Sequence, residues 1–254
     1  MTSSDLGLGP VDDLGTAYDG PRPARRVVSL VPSITEALAS VDRAAVVGAT
    51  DWCTHPADLD VTRVRGTKNP DLAAIRDLAP DVVVVNKEEN RELDVTRLRS
   101  SGVAVWVTDI ETVPAAIDSL ERLLDGLGWD APAWLGTARE LWCGPLPPVV
   151  RRVAIPIWRD PWMVVGRDTF TGDLARRLGL ANVFEDSPER YPTVSVADLD
   201  AAGADEVLLP DEPYLFTATD GPGAFTTTPT RLVSGRLLTW YGPSLIEAHA
   251  SLSR

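Results

Sequence analysis

Eight tryptophans stand in this chain, and the residue types around several of them are those of a surface that stacks a large flat molecule. In Trp158-Arg159-Asp160-Pro161-Trp162 two indoles flank an arginine just after an expected strand. Trp240-Tyr241-Gly242-Pro243 occupies an expected strand-to-helix turn, and Trp52 follows another strand. In parallel α/β sheets the carboxyl ends of the strands border the ligand crevice, and an indole exposed there offers a broad apolar face with a polar edge. Trp106 and Trp134 are read as packing residues instead. The loop Asn86-Lys87-Glu88-Glu89-Asn90 follows the apolar run Val82–Val85, and the turn Gly66-Thr67-Lys68-Asn69-Pro70 places Lys68 where it can meet an anionic group. The candidate ligand-binding set is therefore Trp52, Lys68, Asn86, Lys87, Glu88, Trp158, Arg159, Trp162, Trp240 and Tyr241. A solvated surface loop remains the alternative for Lys87 and Glu88, and core or lobe-edge packing the alternative for the tryptophans.

Bond-making chemistry has less to stand on. There is no GxSxG, no P-loop and no GxGxxG pattern. The only histidines are His55 and His249, too few for a three-histidine metal site. Asp51-Trp52-Cys53-Thr54-His55-Pro56 puts a carboxylate, a thiol and an imidazole within five residues. Cys53 and His55 are thus weak metal-ligand candidates, against the plainer reading of an inward-packed loop cysteine. The sequence calls for no catalytic residue and no required cofactor.

The elements that must position these residues alternate strand and helix, which indicates parallel sheets with crossover helices. The first 25 residues, rich in Gly, Pro and Asp, read as a loose arm with a short hairpin around Val11–Tyr18. Arg26–Leu30 is a short β-branched run fit for a buried strand, and Ser33-Ile34-Thr35-Glu36 is a capping box that starts a helix at Ser33. Asp71 caps a short helix before the strand Val82–Val85. From Thr112 to Leu127 the apolar positions keep helical spacing, with Gly126 and Gly128 loosening the end; a second helical piece runs from Ala131 to Trp142. The Pro-rich Gly144–Pro148 follows. Beyond it the alternation restarts: Arg152–Ile157 is a strand, Thr171 caps a helix, Ser195 caps another, and Glu206–Leu209 and Leu237–Trp240 are strands. Leu72, Ile75, Leu78 and Asp81 before Val82–Val85 match Val196, Leu199, Ala202 and Asp205 before Glu206–Leu209, which suggests two similar halves. The expected organisation is an arm (1–25), an amino-terminal α/β lobe (26–111), a linking helical segment (112–148) and a carboxyl-terminal α/β lobe (149–254), with a ligand cleft between the lobes.

The bulk numbers restrict the partners. With 254 residues the chain can bury two modest cores. Its 24 Lys and Arg against 37 Asp and Glu leave a net charge of -13. That excess disfavours nucleic acid and anionic lipid surfaces. No apolar stretch is long enough to span a bilayer. The segment Met1–Gly20 shows no basic start, no apolar core and no lipid-anchor cysteine, so the sequence as written is expected to be cytoplasmic.

The segment Arg26-Val27-Val28-Ser29-Leu30-Val31-Pro32-Ser33-Ile34-Thr35-Glu36, together with Val47-Gly48, Asp51, Pro56, Gly66–Leu72, Leu78–Val83, Gly179–Phe184 and Tyr191–Ser195, resembles the helical-backbone receptors. These are the substrate-binding proteins of ABC importers for cobalamin, ferric siderophores and heme. The resemblance covers nearly the whole chain from Arg26. It implies two Rossmann-like lobes joined by a linking helix, a cleft that takes a cobalamin-like metal chelate without catalysis, and a permease as partner. Such receptors usually carry an export signal and work outside the cytoplasm. Trp52 fits an aromatic cleft position of the cobalamin receptors, whereas two others are filled by Thr67 or Lys68 and by Asn86. The glutamates that dock on permease arginines correspond to Ala73 and Ala197, with Asp71 and Asp198 close by. Two other functions stay open at this point. One is a cytosolic chelatase-like enzyme using Lys87, Glu88, Glu89 or His55; the other is an intracellular sensor or chaperone for a tetrapyrrole or metal complex.

Overall fold

The computed structural model describes residues 9–252 and divides the chain into two compact units. The first holds residues 9–110, 116–136 and 241–243; the second holds 111–115, 137–240 and 244–252. In chain order the first elements are β1 (Val27–Ser29), α1 (Pro32–Val41), β2 (Val46–Ala49), β3 (Thr62–Arg63), β4 (Arg65–Gly66), β5 (Asn69–Pro70), α2 (Leu72–Asp77), β6 (Val82–Asn86), α3 (Glu92–Ser100) and β7 (Val105–Thr108). Then come α4 (Val113–Leu127) and α5 (Ala133–Trp142). The rest comprises β8 (Arg151–Ala154), β9 (Pro156–Trp158), β10 (Met163–Val164), α6 (Phe170–Arg177), β11 (Leu180–Asn182), α7 (Val196–Asp200), β12 (Glu206–Pro210), β13 (Thr230–Val233), α8 (Gly235–Thr239) and α9 (Ser244–Leu252).

The first unit is built on a five-stranded sheet of order β3-β2-β1-β6-β7, and the second on a four-stranded sheet of order β11-β8-β12-β13. Every pairing within these two sheets is parallel. Such strands need apolar side chains on both faces. The valines of β1 and β6 are accordingly all buried. The second sheet repeats the order β2-β1-β6-β7 of the first, and the likeness extends to single atoms. Asp81 accepts from the Arg25 and Arg26 amides, and its own amide donates to the Arg26 carbonyl. Asp205 does the same to Arg152 ahead of β12. In both units, then, the aspartate before the central strand fixes the start of its neighbour, which is why the two sequence patterns coincide.

Several local readings need correction. The amino-terminal segment is not loose over its described part: Val11 bridges Ala17, as the expected hairpin requires, while Asp12, Tyr18 and Ala24 are buried. Helix α1 starts at Pro32 with no side-chain cap, because Pro at the first turn needs no amide partner. Thr169, not Thr171, caps α6, its hydroxyl accepting from the Gly172 amide. Residues 237–240 are not a strand; Leu237 and Leu238 lie in α8, and the fourth strand of the sheet is β13. Gly126 does not loosen α4 but lets the Trp106 ring lie against it, since a Cβ there would stand 2.3 Å from that ring. The stripe Val113, Ala116, Ile117, Leu120, Leu123, Leu124 and Leu127 of α4 is buried as expected. The corrected cap is testable: Thr169→Ala should cost about 1 kcal/mol in urea unfolding, and an unshifted midpoint would refute its role.

Candidate functional site

In the first unit the candidate residues gather at the carboxyl ends of β2 and β6. Trp52 stands on the loop after β2 with 66% of its surface exposed. That loop is held from below: the Arg63 guanidinium donates to the carbonyls of Thr50, Cys53 and Leu59. After β6 the chain turns through Asn86, whose side-chain carbonyl accepts from the amides of Glu88 and Glu89. Its amide group donates to Thr108 Oγ1, and Asn90 donates to the carbonyls of Leu30 and Thr67. Lys68 Nζ donates to the Glu88 carbonyl at 2.7 Å. Lys87 pairs with Asp109 at 2.6 Å while keeping 58% of its side chain exposed. The result is a stitched, polar platform beside an exposed indole. Asn86 itself is buried and works as the scaffold of the loop, not as its face. Tyr241 is buried as well; its hydroxyl lies 3.4 Å from Glu89, and burial holds its pKa well above the ordinary phenol value.

The second unit carries an aromatic group on and around β9–β10, a two-stranded antiparallel hairpin that follows β8. Trp158 is 44% exposed and packs edge-on against Tyr214. Arg159 pairs with Asp220 and Asp160, and the Tyr214 hydroxyl donates to Asp220 at 2.7 Å. The bond from Tyr214, together with Arg159, holds the Asp220 carboxyl below the usual carboxylate range. Trp162 lies beneath, buried, stacked on Phe216 and met edge-on by Phe225. Trp240 is also buried, with Arg236 over its ring, and its indole hydrogen-bonds Glu212. Of the four candidates here, Trp158 and Arg159 sit at the surface layer, while Trp162 and Trp240 support it from inside.

The loop 211–216 escaped the sequence reading, although it brings Tyr214 to Trp158, exposes Leu215 and buries Phe216. A signal for it existed. It follows β12 just as Asn86–Asn90 follows β6, and the repeat noted ahead of both strands marks that correspondence.

The metal reading of Cys53 and His55 fails on geometry. Cys53 is fully buried, with its Sγ 3.0 Å from Thr35 Oγ1 and 3.1 Å from Thr50 Oγ1, and burial raises its pKa, which disfavours the thiolate a metal needs. His55 instead sits with its Nδ1 3.1 Å from Thr54 Oγ1. Among the described residues no group of three or more His, Cys, Asp or Glu side chains is placed to hold a metal ion. Nor, among them, is any helix long and apolar enough to cross a membrane.

Comparison with known proteins agrees with this architecture. The chain is 27% identical over 182 residues to the vitamin B12-binding protein of Salmonella typhi, covering 68% of this chain and 67% of that one. It is 22% identical over 209 residues to the vitamin B12-binding protein of Vibrio cholerae serotype O1, covering 78% and 72%. The crystal structure of the periplasmic vitamin B12-binding protein of Vibrio cholerae superposes with a TM-score of 0.71 at 17% identity, over 92% of this chain and 96% of that one. A periplasmic heme-binding protein in complex with two hemes gives 0.71 at 22%, over 90% and 97%. No family profile matches the chain. The two parallel sheets of repeated strand order thus share the fold of these solved binding proteins, and over about two thirds of its length the chain is similar in sequence to vitamin B12-binding proteins.

Proposed function

We propose that the protein captures a bulky metal chelate with a flat ring face, cobalamin or a related tetrapyrrole complex, and holds it without transforming it. The observation that carries this reading is the pair of exposed indoles: Trp52 on the loop after β2 of the first sheet, and Trp158 at the end of β9, which follows β8 of the second, each near a loop fixed by hydrogen bonds. Large aromatic faces left in water on rigid loops are costly without a ligand and gain about 1–2 kcal/mol each when stacked. Lys68, Lys87 and Glu88 in the first unit and Arg159, which follows Trp158, would supply hydrogen bonds to the amide or carboxyl side arms of such a ligand. The chelate brings its own metal ligands, so the protein needs none. Vitamin B12 is the ligand named for the sequence relatives, and heme is named for one of the similar structures.

Transport is the proposed setting, with a permease as partner, although the two docking positions hold Ala73 and Ala197. The nearby carboxylates are committed locally. Asp71 accepts from the Ala73 and Ala74 amides and pairs with Arg65, and Asp198 accepts from Ser195 Oγ at 2.6 Å.

The test is a fluorescence titration with cyanocobalamin, hemin and a ferric chelate. Saturable quenching by one of them is expected, with Trp52→Ala and Trp158→Ala each weakening it by roughly 1–2 kcal/mol, about five- to thirtyfold. The ligand should be recovered unchanged, whereas product formation would favour the enzyme. No quenching by any of the three at high micromolar concentration would sink the reading.

A further inference from the structure

Among the described residues β7 is the outer strand of the first sheet, and no described strand pairs with its other side. Its register with β6 turns residues 104, 106 and 108 inward: the Val83 amide donates to the Ala104 carbonyl, and the Lys87 amide to the Thr108 carbonyl. Residues 105, 107 and 109 therefore face outward, and each of them is met by the Asp12-Asp13 turn or by a group bound to it. The Val107 amide donates to Asp12 Oδ2 at 3.2 Å, and the Val107 carbonyl accepts from the Asp13 amide at 3.1 Å. The Asp109 amide donates to Asp13 Oδ2 at 2.9 Å. The Val105 carbonyl accepts from the Arg99 guanidinium, which is itself held by Asp12.

Two carboxylates and one amide thus reproduce the alternating donors and acceptors of a missing strand. Only 2% of the Asp12 side chain and 5% of the Asp13 side chain are exposed. The turn is anchored independently of β7. Asp12 Oδ1 accepts from the Leu14 and Thr16 amides, and Asp13 binds Ser119 Oγ and Arg122 of the first unit.

We propose that the Asp12-Asp13 turn is a strand surrogate that guards β7 against edge-to-edge pairing with a second copy of this chain. The second copy is the fitting occupant because the exposed edge would be Val105-Trp106-Val107-Thr108, a β-branched and aromatic run, and two identical edges can pair around a two-fold axis. A side-chain surrogate satisfies the backbone groups yet presents no further ladder to a newcomer. This inference does not depend on the ligand.

The experiment uses the full chain with Asp12→Ser and Asp13→Ser together, read by amide hydrogen exchange and by sedimentation velocity across a concentration series. Exchange at Val107 and Asp109 should accelerate by about tenfold or more while the β6 amides stay protected, and a concentration-dependent dimer should appear that the wild type lacks. Unchanged exchange at both amides would overturn the surrogate. Faster exchange in a protein that stays monomeric at every concentration would overturn the guarding role. If the double variant does not fold, Asp13→Asn, which keeps the side-chain volume, is read the same way at Asp109.

Discussion

Trp162→Ala should destabilise the second unit by about 3–5 kcal/mol, the scale of deleting a buried aromatic, and should weaken ligand capture only to the extent that the unit unfolds. The ring is 8% exposed, stacked on Phe216 at 5.7 Å and met edge-on by Phe225 at 5.5 Å. It shares a core with Ala154, Val164, Leu199, Val207 and Leu209. Removing it leaves a cavity between β9–β10 and the 211–216 loop that the surrounding rings cannot fill without leaving their own contacts. Trp158→Ala is the control. That ring is 44% exposed and touches Tyr214 at 5.5 Å, so its loss should cost under about 1 kcal/mol of stability. Urea unfolding of both variants, set beside chelate titrations in the absence of urea, separates the two roles. A Trp162→Ala protein with an unchanged midpoint but no binding would make Trp162 a direct ligand contact and would refute the supporting role.

The contrast between these two tryptophans shows what the sequence reveals and what it hides. Strand–helix alternation, the α4 stripe and the Asp71 and Ser195 caps are all legible, because each rests on spacing within one element. The doubled architecture is legible for the same reason: the aspartates before β6 and β12 sit in matching patterns and make matching bonds. Burial at a loop end is not local. Trp158 and Trp162 look alike in sequence, four residues apart on one turn, yet the partners that bury Trp162 come from residues 216 and 225. Asn86 is similar: its place beside Lys87 and Glu88 suggests a ligand contact, while its bonds to Thr108 and to two amides of its own loop make it the frame. The misread 237–240 segment has a related cause. A short apolar run fits strand and helix equally, and here the sheet position is taken by β13. The amino-terminal segment is polar and Gly/Pro-rich, so it reads as loose. Its order comes from residues about a hundred positions away, at Val107, Ser119 and Arg122.

Glu212→Gln should stabilise the protein by about 2 kcal/mol near pH 8 and leave it almost unchanged near pH 4. Glu212 opens the loop after β12, where burial pushes its pKa up from 4.5 to about 7 and Asp211 adds to the rise. The hydrogen bond from the Trp240 indole and the charge of Arg236 pull the other way and do not offset it. Neighbouring groups fix the carboxyl in place. The Gly235 amide donates to Asp211 Oδ1 at 2.6 Å, and a Cβ at Gly235 would stand 2.7 Å from the Glu212 carbonyl oxygen, so the loop lies directly on the start of α8. The direction follows from linkage. Below about pH 4.5 the acid is neutral folded and unfolded, and its contribution is fully present. Between there and about pH 7 the unfolded chain releases a proton that the folded chain keeps, so stability falls as pH rises. Above about pH 7 the folded protein carries a half-buried charge beside Asp211, and the loss is complete. Glutamine keeps the shape and the acceptor for Trp240 without that charge. Urea unfolding of wild type and variant at several pH values should give curves that converge in acid and separate with a midpoint between the two pKa values. A constant gap at every pH would show that the substitution acts through packing, and a variant less stable at pH 8 would show that the ionised carboxylate is needed by Arg236 and Trp240 after all.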